Sequence, residues 1–152
     1  MRRNEKFSGI IISHLGNIDG RIPERENRFS YLKAALAAGW HVCADVVFRN
    51  GGLLLPWQGG FDPAPLSFFS QPRVWSRCRH AETLDALCNV KAHAFFLSDT
   101  GHTLTSEQFV WTLPPETLVD RSVAAFPELT DANWLTTQEP AGLCSNMPIS
   151  YI

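Results

Sequence analysis

Short apolar segments, most of them β-branched or aromatic, recur along this chain of 152 residues. In its first half they alternate with helix-forming segments. The strand-like segment 7–13 is followed by an alanine-rich run at 31–38, for which Ser30 is a candidate N-cap and Gly39 a candidate stop. Strands that alternate with helices favour a parallel sheet, and seven or eight short strands favour its closure into a barrel. The sequence therefore predicts an α/β fold in which residues 1–152 form one barrel domain.

The length of the chain limits what kind of barrel this is. A complete (β/α)8 barrel usually needs about 250 residues, so several outer helices must be shortened or missing. We expect a compact, reduced TIM barrel. The other predicted elements are strands at 41–48, 74–75, 94–97, 109–112, 123–126 and 142–144, a hairpin turn at Asn50–Gly51, a helix at 81–89, and a long surface connection at 56–72.

Composition narrows the class of partner. An apolar fraction of 45% with 18% charged residues suffices for one core. The formal net charge of -2, without a basic stripe, argues against nucleic acid and favours a small ligand. The four cysteines form no C-x-x-C pair and predict free thiols in a reducing, cytoplasmic compartment. The apolar run at 7–12 is too short for a membrane span, and no feature sets the oligomeric state.

Several motifs resemble those of one family. His14-Leu15-Gly16, Glu26-Asn27, the alanine-rich helix and Cys43-Ala44-Asp45 follow each other as His-Arg-Gly, Glu-Asn, a helix and Glu-x-Asp do in glycerophosphodiester phosphodiesterases, of the phospholipase C-like phosphodiesterase superfamily. A short branch of that superfamily is also similar in later segments. These are Thr-Leu-Thr-Ser at 103–106, Val-Trp-Thr at 110–112, Pro127-Glu128 and Gly-Leu-Cys-Ser-Asn at 142–146, so the resemblance spans nearly the whole chain.

The resemblance implies a TIM barrel that hydrolyses phosphoric diesters of the lipid head-group class. One histidine would act as general base and another as general acid around a phosphodiester bound to calcium or magnesium. His14 is the catalytic candidate, because it ends a predicted strand just before a glycine. Asp45 and Glu26 are the candidate metal ligands, and Arg77, Arg79 and Asn27 are candidates for binding the substrate.

Three positions depart from the family pattern. Cys43 replaces a metal-binding glutamate, and a thiol is a poor ligand for a hard cation. Trp57 replaces the second catalytic histidine and cannot carry a proton, while Leu15 replaces an arginine that usually contacts phosphate. We therefore expect binding of a phosphate or phosphodiester with weak or lost catalysis, as in a pseudoenzyme.

Each candidate has a structural alternative. Asp45 either binds a metal or forms an ion pair with Arg77 or Arg79. Glu26 and Asn27 either complete a weak cation site or belong to the lead-in and cap of the first helix. Arg77 and Arg79 alternate on a presumed strand and either bind an anion together, or one of them pairs with Asp45 while the other shields the end of the barrel.

Two further functions remain open from the sequence. In an active enzyme with a rearranged site, His80 or His102 would replace the missing histidine, and Glu128 or Asp99 would supply oxygen ligands. In a structural or partner-binding domain, Trp57 and apolar side chains would fill the mouth of the barrel.

Overall fold

Eleven strands form two sheets in the computed structural model, which describes residues 6–152; residues 1–5, the start of the predicted domain, lie outside that range. In chain order the strands are β1 Ile10–His14, β2 His41–Asp45, β3 Val47–Arg49, β4 Gly52–Trp57, β5 Gly60–Pro63, β6 Val74–Cys78, β7 His93–Phe96, β8 His102–Leu104, β9 Val110–Thr112, β10 Ser122–Ala125 and β11 Gly142–Ser145. The helices are α1 Phe29–Ala37, α2 Leu66–Phe69, α3 Ala81–Asn89 and α4 Trp134–Thr137, with short 3-10 helices at Pro127–Leu129 and Pro148–Tyr151.

The larger sheet has eight strands in the order β7, β6, β2, β1, β11, β10, β9, β8. Seven of them run parallel, and β8 is antiparallel to β9. The segment after β8 returns to β7, where the Ser106 amide donates to the Ala94 carbonyl at 2.9 Å and the Ser106 hydroxyl accepts from the Ala94 amide at 2.8 Å. The sheet is thus barrel-like and nearly closed, which confirms the predicted α/β class.

Outer helices are scarce, as predicted from the chain length. Among the described residues, α1 and α3 have nine residues each, while α2 and α4 have four. Both long helices belong to the half of the barrel around β2 and β6, and the connections in the other half are mostly loops.

The interior of the barrel holds one apolar cluster, and two others lie on the outer face of the sheet. One of these, under the long helices, includes Leu32, Leu87 and the two phenylalanines of α2. The other consists of Phe7, Leu118, Ala124, Trp134 and Leu143. The interior cluster consists of Ile12, Cys43, Trp75, Phe95, Trp111, Val123, Ala125 and Cys144. All four cysteines are free thiols, and Cys88 is the exposed one.

The predicted strand 41–48 divides after Asp45. β2 stays in the barrel, and β3 pairs with β4 in the smaller antiparallel sheet. Asn50 and Gly51 join β3 to β4 with φ values of 51° and 78°, as a two-residue type I′ hairpin requires. The predicted hairpin is therefore confirmed, and it rises from the carboxyl end of β2.

The predicted connection at 56–72 lies mostly on the surface, but it is not a loop throughout. This segment contains β5, which pairs with β4, and α2, whose Phe68 and Phe69 are completely or almost completely buried. Its prolines and glycines are typical of a loop, but Pro63 is tolerated because β5 lies at the edge of its sheet. Burial of the aromatic side chains decides the structure of the segment.

Both ends of helix α1 are fixed by specific contacts. Ser30 lies inside the helix, so its prediction as the N-cap is wrong; instead the carboxylate of Asp62, from β5, accepts from the Phe29 amide at 2.9 Å and from Arg28 Nε at 2.9 Å. At the other end Gly39 has a φ of 99°, and the Gly39 and Trp40 amides donate to Leu36 and Ala35. This Schellman arrangement confirms the predicted stop.

Removing the distant cap should destabilise the protein. We expect Asp62→Ala to lower the free energy of unfolding by about 1–2 kcal/mol, because the first turn of α1 loses its acceptor. Urea unfolding measures the change. Asp99→Ala, at an exposed aspartate in a turn, is the control and should change stability by less than about 0.5 kcal/mol. Equal effects of the two variants would contradict a capping role for Asp62.

Within residues 6–152, no helix combines the length and apolar character needed to cross a membrane.

Candidate functional site

Polar and charged side chains meet where β1, β2 and β6 end. β1 ends at His14, β2 ends at Asp45, and the register of the sheet places Asp45 beside Arg77 of β6. Because these strands are parallel, their carboxyl ends lie at the same edge of the barrel. In parallel barrels this edge carries the functional site. Three of the predicted site residues are thus brought together by strand register alone.

Arg77 lies between Asp45 and His14 and contacts both. Its Nε donates to Asp45 Oδ1 at 2.6 Å and its Nη2 donates to Asp45 Oδ2 at 3.2 Å, which is a two-point contact between guanidinium and carboxylate. The same Nη2 lies 3.3 Å from His14 Nε2. Of the alternatives for Asp45, an ion pair with Arg77 is therefore confirmed.

His14 has both ring nitrogens engaged. Nδ1 donates to Asn146 Oδ1 at 3.0 Å, which leaves Nε2 as the acceptor toward Arg77. Burial, aided by the charge on Arg77, lowers the pKa of His14 to about 4, against an opposing contribution from the Asn146 hydrogen bond. The Phe126 ring packs edge-on at 4.7 Å between centroids. At neutral pH His14 is therefore a neutral imidazole whose lone pair is already occupied.

Glu26 is held by a second arginine and by an amide. Arg21 Nη2 donates to Glu26 Oε1 at 2.8 Å, and Asn17 Nδ2 donates to Glu26 Oε2 at 2.9 Å. Burial alone would raise the pKa of Glu26, but these hydrogen bonds outweigh it and lower the pKa below its ordinary value. Asn17 Nδ2 also donates to Asn146 Oδ1 at 3.0 Å, so Glu26 is connected to His14 through two amides.

Asn27 has its side-chain amide fully occupied by the backbone. Nδ2 donates to the carbonyls of Asp45 and Pro56 at 2.8 and 2.6 Å, and Oδ1 accepts from the Asp45 amide at 2.9 Å. Asn27 thus fastens the end of β2 to β4 and has no amide hydrogen left for a substrate. Glu26 and Asn27 lie in the turn that leads into α1, as the structural alternative predicted, but both are buried and neither caps the helix.

A cavity of about 490 Å³ opens beside Arg77, between the β3–β5 sheet and the start of α3. Arg79 follows β6 and is exposed, whereas Arg77 is buried; both line this cavity, as does Arg49. Within residues 6–152, Arg49 and Arg79 form no salt bridge, although Arg49 lies over the Phe61 ring at 4.8 Å. The remaining lining residues are Asp45, Val46, Val47, Phe48, Pro56, Phe61, Cys78, His80 and Glu82.

Trp57 lines a smaller cavity of about 270 Å³ together with Glu26, Asn27 and Asp45. The guanidinium carbon of Arg28 lies 3.8 Å from the centroid of the Trp57 ring. The indole therefore forms a wall next to the two carboxylates and offers no group that could transfer a proton.

The residues present do not fit calcium or magnesium. A hard cation needs several oxygen ligands, but Asp45 is paired with Arg77, Glu26 is paired with Arg21, and Cys43 lies completely buried in the barrel interior. In the part of the chain that the structure describes, no group of three or more His, Cys, Asp or Glu side chains is placed to hold a metal ion.

The residues proposed for a rearranged site are dispersed. His80 lines the large cavity, whereas His102 Nε2 contacts the Thr117 carbonyl at 2.9 Å. Glu128 accepts from the Asn146 amide at 2.9 Å, and Asp99 lies in an exposed turn. Glu128 thereby supports the residue that orients His14.

Asn17, Asn146 and Arg21 are site residues that the sequence reasoning missed. Asn146 follows the end of β11, in the Gly-Leu-Cys-Ser-Asn segment at 142–146, and its place directly after a strand is the signal that points to it. Asn17 and Arg21 lie in the irregular segment between β1 and α1, where no local pattern indicates their partners.

No family model matches the chain, and neither the curated proteins nor the solved structures gave a significant match. A functional proposal for this chain therefore rests on the geometry of the site.

Proposed function

We propose that this chain is a reduced TIM barrel of the phospholipase C-like phosphodiesterase type that binds a small phosphate or phosphodiester at its mouth, with weak or lost hydrolysis. The cavity beside Arg77 is the observation that carries the proposal. It lies at the carboxyl ends of parallel strands and is lined by three arginines against two acidic residues. Guanidinium groups suit phosphate because their N–H groups match its oxygens in pairs.

The three arginines of the cavity differ in exposure and in whether they have an acidic partner. Arg77 is already bonded to Asp45, whereas Arg79 and Arg49 have no acidic partner within the described residues. An entering phosphate would therefore meet Arg79 and Arg49 first and Arg77 at the base of the cavity. Phe48, Phe61 and Pro56 supply apolar walls for the body of the ligand, a mixture that is usual in small-molecule sites.

The state of His14 supports weak or lost hydrolysis. A general base must accept a proton near neutral pH, but the low pKa of His14 and the contact with Arg77 both oppose protonation at Nε2. Trp57 stands at the position of the second histidine and cannot supply the acid. Binding without turnover is what this arrangement supports best.

The first test is ligand binding by wild-type protein and by Arg79→Ala. We expect glycerophosphocholine and inorganic phosphate to raise the melting temperature of the wild type, because a ligand that binds only the folded state stabilises it. Arg79→Ala should weaken binding about tenfold, the loss of one charge-assisted hydrogen bond. Isothermal titration calorimetry measures the affinity.

Arg121→Ala is the matched control, because Arg121 is an exposed arginine at the amino end of β10, on the opposite side of the barrel. Equal losses for Arg79→Ala and Arg121→Ala, or no response of the wild type to any phosphate compound, would contradict the proposal. The latter result would favour a structural or partner-binding domain. Robust hydrolysis of glycerophosphodiesters that His14→Ala abolishes would instead favour an active enzyme.

A further inference from the structure

We propose that Arg77 is the built-in cation of this site, so that the chain binds its phosphate ligand without a divalent metal ion. This inference rests on the proposed function and adds to it the source of the central positive charge. Arg77 donates two hydrogen bonds to Asp45, the candidate metal ligand. It also contacts His14, the candidate catalytic base. The guanidinium of Arg77 therefore lies where the resemblance to phosphodiesterases implies a bound metal ion.

The contacts of Arg77 leave part of its guanidinium for a ligand. Nε and Nη2 donate to Asp45, and Nη2 also contacts His14, whereas Nη1 has no hydrogen-bond partner among residues 6–152. The Arg77 side chain is 10% exposed and lines the large cavity. Nη1 is therefore the nitrogen that Arg77 presents to a phosphate oxygen.

Asp45 competes with the ligand for this charge. The Asp45 side chain is 31% exposed and borders both the large and the small cavity. An entering phosphate meets a guanidinium that is already paired with a carboxylate, and the negative charge of that carboxylate repels the phosphate. If Asp45 held a metal ion, the same carboxylate would instead help to bind the ligand. The two arrangements thus predict opposite effects of removing the charge of Asp45.

The test compares phosphate and glycerophosphate binding by the wild type and by Asp45→Asn, each with EDTA and with added calcium or magnesium. We expect the wild-type Kd to be the same in all conditions within about twofold. Asp45→Asn should bind phosphate about fivefold to tenfold more tightly, since Arg77 is then free of its counter-ion. Asp85→Asn, at an exposed aspartate of α3, is the control for net charge and should leave the Kd unchanged.

Three results would overturn the role of Arg77 as the built-in cation. The first is a wild-type affinity for phosphate that rises tenfold or more with a divalent ion, and the second is a melting temperature of the ligand-free wild type that rises with calcium or magnesium. The third is weaker phosphate binding by folded Asp45→Asn. Absence of any binding by the wild type and by Asp45→Asn is a different outcome. It would reject the proposed function, and the built-in cation with it.

Substitution of Arg77 tests the inference if Asp45→Asn fails to fold. Arg77→Lys keeps the positive charge and should retain metal-independent binding, weakened by loss of the planar geometry. Arg77→Met keeps the length of the side chain and should lose binding by at least tenfold. Equal affinities of the two variants, with circular dichroism showing both to be folded, would overturn the role of Arg77.

Discussion

Lowering the pH from 7 to 5 is expected to reduce the free energy of unfolding by about 4 kcal/mol, through His14 and His93. His93 stacks against Trp75 with 3.9 Å between ring centroids, and its Nε2 lies 2.7 Å from the Thr105 hydroxyl. Burial, followed by the charge of His41, lowers the pKa of His93 to about 4, close to that of His14.

The direction of the effect follows from which state binds protons. In the unfolded chain both histidines titrate near their ordinary pKa of 6.5, whereas in the folded protein they stay neutral until about pH 4. Between these values the unfolded chain takes up protons that the folded protein does not. The stabilisation is therefore complete above pH 6.5 and is lost as the pH falls. Each histidine contributes about 2 kcal/mol of the loss at pH 5.

Urea unfolding at pH 7, 6 and 5 measures this dependence. The window lies above the ordinary range of carboxylates, whose protonation adds to acid denaturation only at lower pH. His14→Gln and His93→Gln should each remove about 2 kcal/mol of the change between pH 7 and pH 5, and His80→Gln, at an exposed histidine, is the control. Stability that is constant from pH 7 to 5, or a slope that neither buried substitution reduces, would contradict the prediction.

Replacing Trp75 with alanine is expected to lower the free energy of unfolding by about 3–5 kcal/mol. Trp75 is 1% exposed in the barrel interior. It packs against His93, Phe109 and Trp111, and its indole nitrogen donates to His41 Nδ1 at 3.1 Å. The substitution removes the largest fully buried side chain, and its neighbours cannot close the space because strands surround them.

Guanidinium unfolding measures the loss, and Trp57→Ala is the matched control. Trp57 is only partly buried and stands on the hairpin beside the small cavity, so the neighbouring structure can adjust and the loss should be smaller. An equal or larger loss for Trp57→Ala would contradict the view that Trp75 is the centre of the interior cluster.

The two cavities at the carboxyl edge show how much of the site followed from the sequence. Local pattern predicts that His14 ends a strand, but it places Asp45 inside the predicted strand 41–48, and the structure shows that β2 ends there. Which of the two arginines pairs with Asp45 could not be predicted either, since β2 and β6 are separated by the hairpin, β5 and α2. The register of these two strands makes the pair with Arg77.

Local chemistry by itself determined the positions of the seven parallel strands, the extent of α3, the turn at Asn50–Gly51 and the stop at Gly39, because apolar periodicity and positive φ values act over a few residues. Tertiary structure decided the cap of α1 by Asp62, the burial of α2, and the network in which Asn146 contacts His14 from 132 positions away. Those features depend on groups that meet only once the sheet has curved into a barrel. The sequence therefore indicates where polar side chains lie along the strands, and the tertiary structure determines which of these side chains pair with each other.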